Sequence, residues 1–513
     1  MNLVQLLIDR ARTHPEKVAL VDGMPGRERV TSYRDLAALV TGASRRLRAE
    51  GLVPGDVVLI LHPISLELYV FLLGAFHAGL TTAFVDPSAG GSVVATACQR
   101  LRPRAFFGSR KAQAWAWTRP EVRRLAHHWC PRSFPFTRSF PLDPAAPENA
   151  VVVPDRHPAL VTFTSGSTGQ PKGAARTHGF LLAQHAALER ALGLHEGEVD
   201  LVTLPVFTLA NLASGVASLL PGTDITRPAV VNAELLARQS RTHGVTRCAA
   251  SPAVFRAFLK AGCLPDFRDI HTGGAPVFPS LLDELVKTSP KTTVHAVYGS
   301  TEAEPIADLL WRDISPAIRE RIRQGSGLPA GKPVPEIELA ILSLQEIDPA
   351  TGWTDNLFSS RRLPTGQAGE IIVSGPHVLP GYLDGIGDAE NKIHAGGKVW
   401  HRTGDAGRLD EEGNLWLLGR ASAAVRRPGL PPLYPFEVEA ALDGIPGLGR
   451  TALVEKDGEP ALVFEGRTDL PPEAAGSILA GLGVRRVIPL PSLPMDRRHQ
   501  AKIDYPKLQR LLE

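Results

Sequence analysis

The chain has 513 residues, of which 43% are hydrophobic and 21% are charged. This length predicts two to four domains, and the hydrophobic share is ordinary for a globular protein with a sizeable core. Lys and Arg exceed Asp and Glu by only three, so the overall charge gives no reason to expect a nucleic-acid partner.

The N-terminal segment, residues 1–17, predicts an amphipathic helix and not a secretion signal, because three charged side chains interrupt what would be the signal's apolar core. The most membrane-like stretch, residues 68–85, contains two glycines, a histidine and two threonines. These favour a buried helix followed by a buried strand over an integral membrane segment. Four cysteines without a CxxC pair predict reduced thiols, so we expect a cytoplasmic protein.

Strand-like apolar runs alternate with helical patterns along most of the chain, which predicts an α/β architecture with largely parallel sheets. The predicted strands are residues 57–61, 82–85, 160–164, 247–250 and 294–297, and two predicted helices are residues 66–78 and 233–242. Residues 330–379 differ, since prolines and a glycine punctuate alternating runs there. That pattern indicates a smaller antiparallel or β-barrel-like portion.

A proline-rich stretch, residues 426–435, predicts a stiff segment between two domains. We therefore expect a large N-terminal domain, residues 1–420, built of two α/β subdomains and the β-barrel-like portion. A small, mobile α+β C-terminal domain, residues 421–513, follows. In it we expect a helix near residues 437–442, strands near 452–455 and 461–464, and a helix near 472–482.

The segment TSGSTGQPKG, residues 164–173, has the composition of a phosphate-binding loop. Its glycines allow close approach of the backbone to a ligand, and its hydroxyl and N–H groups can donate to phosphate oxygens. The spacing fits neither the GxxxxGK[ST] loop nor the GxSxG nucleophile elbow. We expect nucleotide phosphates to contact Thr164, Ser165, Gly166, Ser167, Thr168, Gly169 and Lys172.

This loop and a further series of motifs, in the same order along nearly the whole chain, resemble those of the AMP-forming acyl-adenylating superfamily. That superfamily includes acyl-CoA synthetases, peptide-synthetase adenylation domains and luciferases. The matching motifs are GGAP (273–276), YGSTE (298–302), GE with SGP and GY (369–382), TGD (403–405), GR (419–420), YPFEVE (434–439) and AK (501–502).

The resemblance implies that the protein converts a carboxylic acid into an acyl-AMP with release of pyrophosphate, using ATP and Mg²⁺. It implies a nucleotide pocket lined by Gly274, Ala275, Pro276, Tyr298, Gly299 and Ser300. Asp405 would accept hydrogen bonds from the ribose hydroxyls, and Arg420 would donate to the ribose or the phosphate.

The same resemblance implies three catalytic residues. Thr301 would contact the α-phosphate, and Glu302 would hold Mg²⁺ together with Thr168. Lys502 would bridge the carboxylate and the α-phosphate in the transition state. Here Lys502 follows Gln500 and Ala501, where the superfamily usually has Ser-Gly.

Several departures from the superfamily pattern concern the second half of the reaction. Thr208 follows Phe207 where a histidine is common, and Ser422 occupies a hinge position that is usually Asp or Lys. Residues 426–434 are rich in proline where members that deliver the acyl group to CoA usually carry a glycine-containing loop.

Residues 226–229, 251–253, 274–277 and 495–503 resemble one branch of the superfamily, the β-lactone synthetases of bacterial long-chain olefin biosynthesis. This implies an aliphatic β-hydroxy acid whose own hydroxyl displaces AMP, and pathway partners of the thiolase-like, reductase and decarboxylase types. An acyl-CoA or acyl-carrier-protein ligase remains the alternative, and a non-catalytic nucleotide-binding relative is a third.

The acyl pocket is expected beside a helix over residues 207–220. Leu209, Leu212, Val216 and Leu219 have helical spacing in that segment. Such spacing is more often a sign of core packing than of a ligand pocket, although it is consistent with an aliphatic substrate.

Overall fold

The computed structural model describes residues 1–85, 91–165, 171–344, 352–427, 429–466, 473–495 and 502–513. Their contacts divide the chain into two compact units. The first unit contains residues 1–222, 243–245 and 376–390, and the second contains residues 223–242, 246–375 and 391–513. Because the second unit includes residues on both sides of residue 420, a domain boundary there stays a prediction.

Two groups of paired strands form the framework of the first unit. The strands are β1 (Val18–Asp22), β2 (Arg29–Ser32), β3 (Val57–Leu61), β4 (Thr81–Phe84), β5 (Ala105–Gly108), β6 (His127–Cys130), β7 (Arg138–Ser139), β8 (Pro158–Ser165), β9 (Pro171–Thr177), β10 (Val199–Val202) and β11 (Ala217–Leu219). One sheet has the order β7-β6-β5-β3-β4-β8-β9, and the second group has the order β10-β11-β1-β2. All neighbours are parallel except the pairs β8–β9 and β1–β2.

Helices cover these sheets. They are α1 (Gln5–Thr13), α2 (Tyr33–Ala49), α3 (Leu66–His77), α4 (Gly91–Leu101), α5 (Arg110–Trp117), α6 (Pro120–Arg123), α7 (His178–Ala191) and α8 (Phe207–Ser214). Helix α3 is buried on all sides apart from its first turn, and β4 follows it. The apolar stretch 68–85 is therefore a core helix and strand, as predicted. In the described part of the chain, no helix is both long and apolar enough to cross a bilayer.

The prediction of one helix over residues 207–220 is wrong. Helix α8 ends at Ser214 because Gly215 adopts a left-handed conformation with φ of 79°, which glycine reaches without steric cost. The chain then enters strand β11. Leu212, Val216 and Leu219 are buried, which supports the core interpretation of their spacing.

The second unit begins with parallel strands, continues with antiparallel ones and ends with one parallel pair. Its strands are β12 (Arg247–Ala250), β13 (Asp269–Gly273), β14 (Thr293–Ser300), β15 (Ala303–Leu310), β16 (Leu328–Pro333), β17 (Glu338–Leu342), β18 (Gly369–Ser374), β19 (Lys392–Ala395), β20 (Lys398–Leu409), β21 (Leu415–Arg420), β22 (Val425–Arg427), β23 (Leu430–Leu433), β24 (Thr451–Lys456), β25 (Glu459–Glu465) and β26 (Arg486–Leu490). The main sheet has the order β17-β18-β20-β21-β16-β15-β14-β13-β12, and β19 pairs with β20. The antiparallel portion predicted for residues 330–379 is confirmed, and it extends through β21.

The remaining helices are short. They are α9 (Ala233–Thr242), α10 (Pro252–Lys260), α11 (Pro279–Thr288), α12 (Pro316–Arg323), α13 (Asp355–Arg361), α14 (Asp388–Asn391), α15 (Pro435–Glu439), α16 (Glu473–Gly481) and α17 (Tyr505–Leu512). The chain after β21 forms a hairpin of β22 and β23 and a sheet of β24, β25 and β26, as the compact αβ pattern predicted. The mixed α/β class is therefore confirmed. The cysteines Cys98, Cys130, Cys248 and Cys263 are free thiols.

Candidate active site

Three predicted nucleotide-binding residues, Tyr298, Asp405 and Arg420, contact one another in the second unit. Asp405 on β20 lies directly opposite Arg420 on β21 in the antiparallel register. Arg420 Nη1 donates to Asp405 Oδ1 at 2.9 Å, and the Tyr298 hydroxyl on β14 donates to Asp405 Oδ2 at 2.8 Å. Sheet pairing thus brings together residues that are far apart in the sequence.

The charges of this cluster stabilise the protonated forms of Tyr298 and Arg420. The Asp405 carboxylate raises the pKa of Arg420, and the more distant charge of Glu302 acts in the same direction. Burial and then the negative charge of Asp405 hold the pKa of Tyr298 well above its usual value. Tyr298 therefore keeps its hydroxyl proton and remains a donor, while Arg420 remains a cation. The electrostatic effect of Glu302 on Arg420 indicates that Glu302 belongs to the same neighbourhood.

Thr301 and Glu302 form the two-residue tip between β14 and β15. Ser300, the last residue of β14, is opposite Ala303, the first residue of β15. The Ser300 hydroxyl oxygen accepts from the backbone N–H of Glu302 at 3.3 Å and of Ala303 at 3.2 Å. Thr301 is exposed and Glu302 is half-buried. The side chain of Ser300 therefore stabilises the turn that carries both predicted catalytic residues.

The predicted adenine segment follows β13, the strand beside β14. Gly273 is paired with Val297, and a Cβ at Gly273 would lie 2.5 Å from the carbonyl oxygen of Val297. Gly274 has a φ of 75°, which favours glycine. These two glycines let the chain turn at the end of β13. Ala275 and Pro276 therefore follow directly after the strand that pairs with β14, which carries Tyr298.

Asp405 is supported by residues that the sequence did not predict as part of the site. The Thr403 hydroxyl accepts from the backbone N–H of Asp405 at 3.0 Å and donates to the carbonyl oxygen of Ile371 at 2.8 Å. On the neighbouring strand β18, the buried Glu370 carboxylate accepts two hydrogen bonds from Arg402, at 2.6 and 2.9 Å. The motifs TGD and GE contain Thr403 and Glu370, but their local pattern gives no sign that they fix the position of Asp405.

Much of the predicted phosphate loop lies outside the described residues. This applies to Gly166, Ser167, Thr168 and Gly169, and also to the side chains of Thr164 and Ser165. The backbones of Thr164 and Ser165 end β8 and pair with Lys172 and Pro171 on β9. The loop therefore connects two adjacent antiparallel strands of the first unit.

Lys172 is buried against the segment 382–387 of the same unit, with 5% of its surface exposed. Its Nζ lies 5.7 Å from the centre of the Tyr382 ring, and a Cβ at Gly387 would come within 2.7 Å of its Cδ. Arg100 holds this segment in place by donating to Asp384 at 2.9 Å and to the carbonyl oxygen of Leu383. The position of Lys172 thus depends on contacts with a segment distant in sequence.

Lys502 is exposed and lies in the C-terminal portion of the second unit. Its neighbours Gln500 and Ala501 lie outside the described residues. Ile503 forms an isolated β-bridge with Met495, and the Tyr505 hydroxyl donates to the buried carboxylate of Glu439. Helix α17 is therefore fixed to α15 immediately after the predicted catalytic lysine.

Thr208 occupies the position where a histidine was expected, and it is fully buried. Its hydroxyl donates to the hydroxyl of Tyr69 at 2.8 Å, and Tyr69 in turn donates to the carbonyl oxygen of Pro205 at 3.0 Å. Burial raises the pKa of Tyr69, so this tyrosine stays protonated. Position 208 therefore carries a hydroxyl, hydrogen-bonded to that of Tyr69, in place of an imidazole.

The residues present fit a Mg²⁺ ion that is shared with the phosphates of a nucleotide. Among the described residues, no group of three or more His, Cys, Asp or Glu side chains could hold a metal ion. Glu302 offers a carboxylate at a partly exposed turn, and Mg²⁺ is commonly held by one or two carboxylates together with phosphate oxygens and water. Thr168, the other predicted ligand, lies outside the described residues.

Comparison with known proteins is consistent with this geometry. The family model described as AMP-binding enzyme matches residues 7–383. An olefin beta-lactone synthetase of Stenotrophomonas maltophilia is 29% identical, with 99% of this chain and 97% of the relative aligned. The protein of the same name from Xanthomonas campestris pv. campestris is 28% identical, with 99% of this chain and 96% of the relative aligned.

Among solved structures, the amide bond synthetase McbA from Marinactinospora thermotolerans superposes with a TM-score of 0.79 at 22% identity, covering 100% of this chain and 99% of the other. Apo MatB from Rhodopseudomonas palustris gives a TM-score of 0.76 at 20% identity, covering 99% and 98%. These likenesses show a shared fold. Because the family model covers well over half of the sequence, the chain belongs to the AMP-binding enzyme family, and it is an AMP-forming ligase that adenylates an acyl group.

Proposed function

We propose that the protein adenylates a long-chain aliphatic β-hydroxy acid and that the hydroxyl of the same acyl group then displaces AMP to close a β-lactone. The observation that carries the adenylation step is the hydrogen-bonded cluster of Tyr298, Asp405 and Arg420. The lactone step is supported by the end-to-end alignment with two proteins named olefin beta-lactone synthetase.

In the first step, a carboxylate oxygen of the acid attacks the α-phosphorus of ATP and the bond to pyrophosphate breaks. Asp405 accepts from the ribose hydroxyls, while Tyr298 lies along the adenine together with Gly274–Pro276. Lys502 bridges the carboxylate and the α-phosphate, where it stabilises negative charge in the transition state. Thr301 contacts the α-phosphate.

Mg²⁺, when bound, neutralises charge on the phosphate oxygens. Glu302 and Thr168 are the residues that would hold it. The loop from Thr164 to Gly169, with Lys172, binds the phosphates through N–H, hydroxyl and ammonium donors.

In the second step, the β-hydroxyl oxygen attacks the acyl carbon, its proton passes to a base or to solvent, and the bond to AMP breaks. Because nucleophile and electrophile belong to one molecule, proximity supplies much of the rate. No thiol has to enter. This is in keeping with the proline-rich residues 426–434 and with Thr208 in place of a histidine.

The two-domain organisation, residues 1–420 and 421–513, is part of this proposal. Lys502 would reach the α-phosphate when the small domain turns about the segment at Arg420 and Ser422. The product would pass to a decarboxylase, and the hydroxy acid would come from a thiolase-like enzyme and a reductase.

The test supplies ATP, Mg²⁺ and a long-chain 3-hydroxy acid without CoA, and measures pyrophosphate, AMP and lactone. The matched control is the same acid without the 3-hydroxyl, which should support ATP–pyrophosphate exchange but little net AMP release. Equal amounts of AMP and β-lactone are expected. AMP release that requires CoA or a carrier thiol would refute the lactone step and favour the ligase alternative, while no exchange with any acid would refute adenylation by this protein.

A further inference from the structure

One stretch of the first unit concentrates positive charge far beyond the chain average. Residues 101–140 contain nine Lys and Arg residues and a single acidic residue, Glu121. The whole chain has 56 cations and 53 acidic residues, so the remainder of the protein carries more acidic residues than cations. The near-neutral total charge therefore hides a strongly basic local surface.

Most of these cations are exposed and unpaired. Arg104 pairs with Asp56 at 2.9 Å, and Arg138 pairs with Glu50. From residue 110 onward, the exposed cations of this stretch without an ion pair or side-chain hydrogen bond to any residue that the structure describes are Arg110, Lys111, Arg123, Arg124 and Arg132. Their charges are therefore available to an external anionic partner.

Two exposed aromatic rings lie among these cations. On helix α5, the exposed positions Arg110, Lys111, Ala114 and Trp117 follow helical spacing and share one face. Trp117, at the end of that face, is 37% exposed, and its ring meets the ring of Phe136 edge-on at a centroid distance of 5.0 Å. The loop before β7, which carries Arg132, is thereby held beside α5.

Phe136 is held outward by a tight turn. The Thr137 N–H and hydroxyl both donate to the carbonyl oxygen of Phe134, at 3.2 and 2.9 Å. Phe136 has a φ of 59°, which lies in the left-handed region of backbone conformation. That region favours glycine and is strained for a bulky residue. Its surface is 83% exposed. Burial of the side chain therefore does not offset this strain, which makes Phe136 a candidate for a contact outside the fold.

We propose that this basic aromatic face, made of the five unpaired cations with Trp117 and Phe136, docks the protein on an anionic lipid bilayer. Clustered cations are attracted to anionic headgroups, and aromatic rings enter the interface between headgroups and acyl chains. A bilayer is favoured over a nucleic acid because the rings lie at a helix end and at a turn beyond the sheet edge. Aromatic nucleic-acid platforms usually lie on a sheet face or along a groove.

The face and the strands that flank the phosphate loop belong to opposite edges of the sheet. In the sheet order β7-β6-β5-β3-β4-β8-β9, the face belongs to the edge formed by β5, β6 and β7. The phosphate loop joins β8 and β9, at the opposite edge. Docking would bring the enzyme to poorly soluble acids at the bilayer, but it does not depend on which acceptor the reaction uses.

The test is co-sedimentation of the full-length protein with phosphatidylcholine vesicles that contain about one-third phosphatidylglycerol, compared with phosphatidylcholine vesicles alone. Binding is expected only to the anionic vesicles, and it should be lost at high salt. The double variant R110E/K111E should lower the partition coefficient at least about tenfold, since each cation near an anionic surface contributes roughly a factor of five. F136S should also weaken binding, while leaving the charge unchanged.

A matched control reverses two exposed cations of the second unit, K287E/K291E, which should leave vesicle binding unchanged. ATP–pyrophosphate exchange with a water-soluble acid should proceed at the same rate in the wild type, R110E/K111E, F136S and K287E/K291E. Three results would overturn the proposal: no binding of the wild-type protein to anionic vesicles, equal loss in R110E/K111E and K287E/K291E, or tighter binding to an oligonucleotide than to vesicles at equal salt. If exchange is absent in every form but vesicle binding follows the expected order, the proposed function fails and the docking face stands.

Discussion

Glu439 is a buried carboxyl whose ionisation should destabilise the C-terminal portion of the chain. Its residue surface is 2% exposed, and Oε1 accepts from the backbone N–H of Leu453 at 3.1 Å and from the Tyr505 hydroxyl. Burial raises the pKa of Glu439 from 4.5 to about 7, against the opposing effect of these two hydrogen bonds. Glu439 ends helix α15, Leu453 lies on β24 and Tyr505 begins α17, so this carboxyl joins three elements.

The sign of the pH dependence follows from the raised pKa. The folded protein holds the Glu439 proton more tightly than the unfolded chain, so its stabilising effect is complete below pH 4.5 and is lost as the pH rises through about 7. The difference between the two pKa values corresponds to about 3 kcal/mol. E439Q removes the ionisation and keeps the oxygen that accepts both hydrogen bonds. We expect the stability of E439Q relative to wild type to improve by about 2.5 kcal/mol between about pH 5 and about pH 8.

The assay is hydrogen exchange of the β24 peptide, residues 451–456, read by mass spectrometry at both pH values and corrected for intrinsic exchange rates. Exchange gives the local opening free energy, which is appropriate for a chain of several units that need not unfold together. The control is E459Q, the same substitution at an exposed position of the neighbouring strand β25. An E439Q effect of equal size at both pH values would refute the reasoning, because the loss of a hydrogen bond alone has no such pH dependence.

Three further predictions concern the candidate site. D405N should raise the Kd for ATP by about tenfold to a hundredfold, because a hydrogen bond to a charged group contributes about 1.5–3 kcal/mol, and calorimetry showing unchanged affinity would contradict the ribose role. K502A should lower the adenylation rate by about a hundredfold or more at nearly unchanged ATP affinity, whereas the exposed neighbour variant K507A should retain the rate. G274A should lower the melting temperature modestly, since a Cβ there meets nothing within 4 Å and only the φ of 75° is strained. G273A should lower it more, because its Cβ would lie 2.5 Å from a carbonyl oxygen, and equal losses would contradict this.

The chemistry and most elements could be predicted from the sequence, because both depend on local patterns. The predicted helix over residues 233–242 matches α9, and the predicted strands 57–61 and 247–250 match β3 and β12. Apolar periodicity and turn residues determine such elements within a few positions. The ordered motifs likewise indicated nucleotide chemistry, because phosphate recognition needs glycines and hydroxyls close together in the chain.

Contacts between distant residues were decided by the tertiary structure alone. Asp405 meets Tyr298 and Arg420 because β20 pairs with β21 in one particular register and because β14 lies in the same sheet. The end of α8 at Ser214 was missed, since apolar residues continue on both sides of Gly215 and a left-handed cap changes direction without changing hydrophobicity.

The burial of Glu439 and the exposure of Phe136 could not be predicted from their residue types. A glutamate is expected at the surface and a phenylalanine in the core, yet the fold reverses both. The sequence determined which residue types are available for chemistry and where most helices and strands lie. Which residues meet, which charges lose their water and which rings face solvent depended on how the elements pack, because burial and strand register are properties of the whole chain.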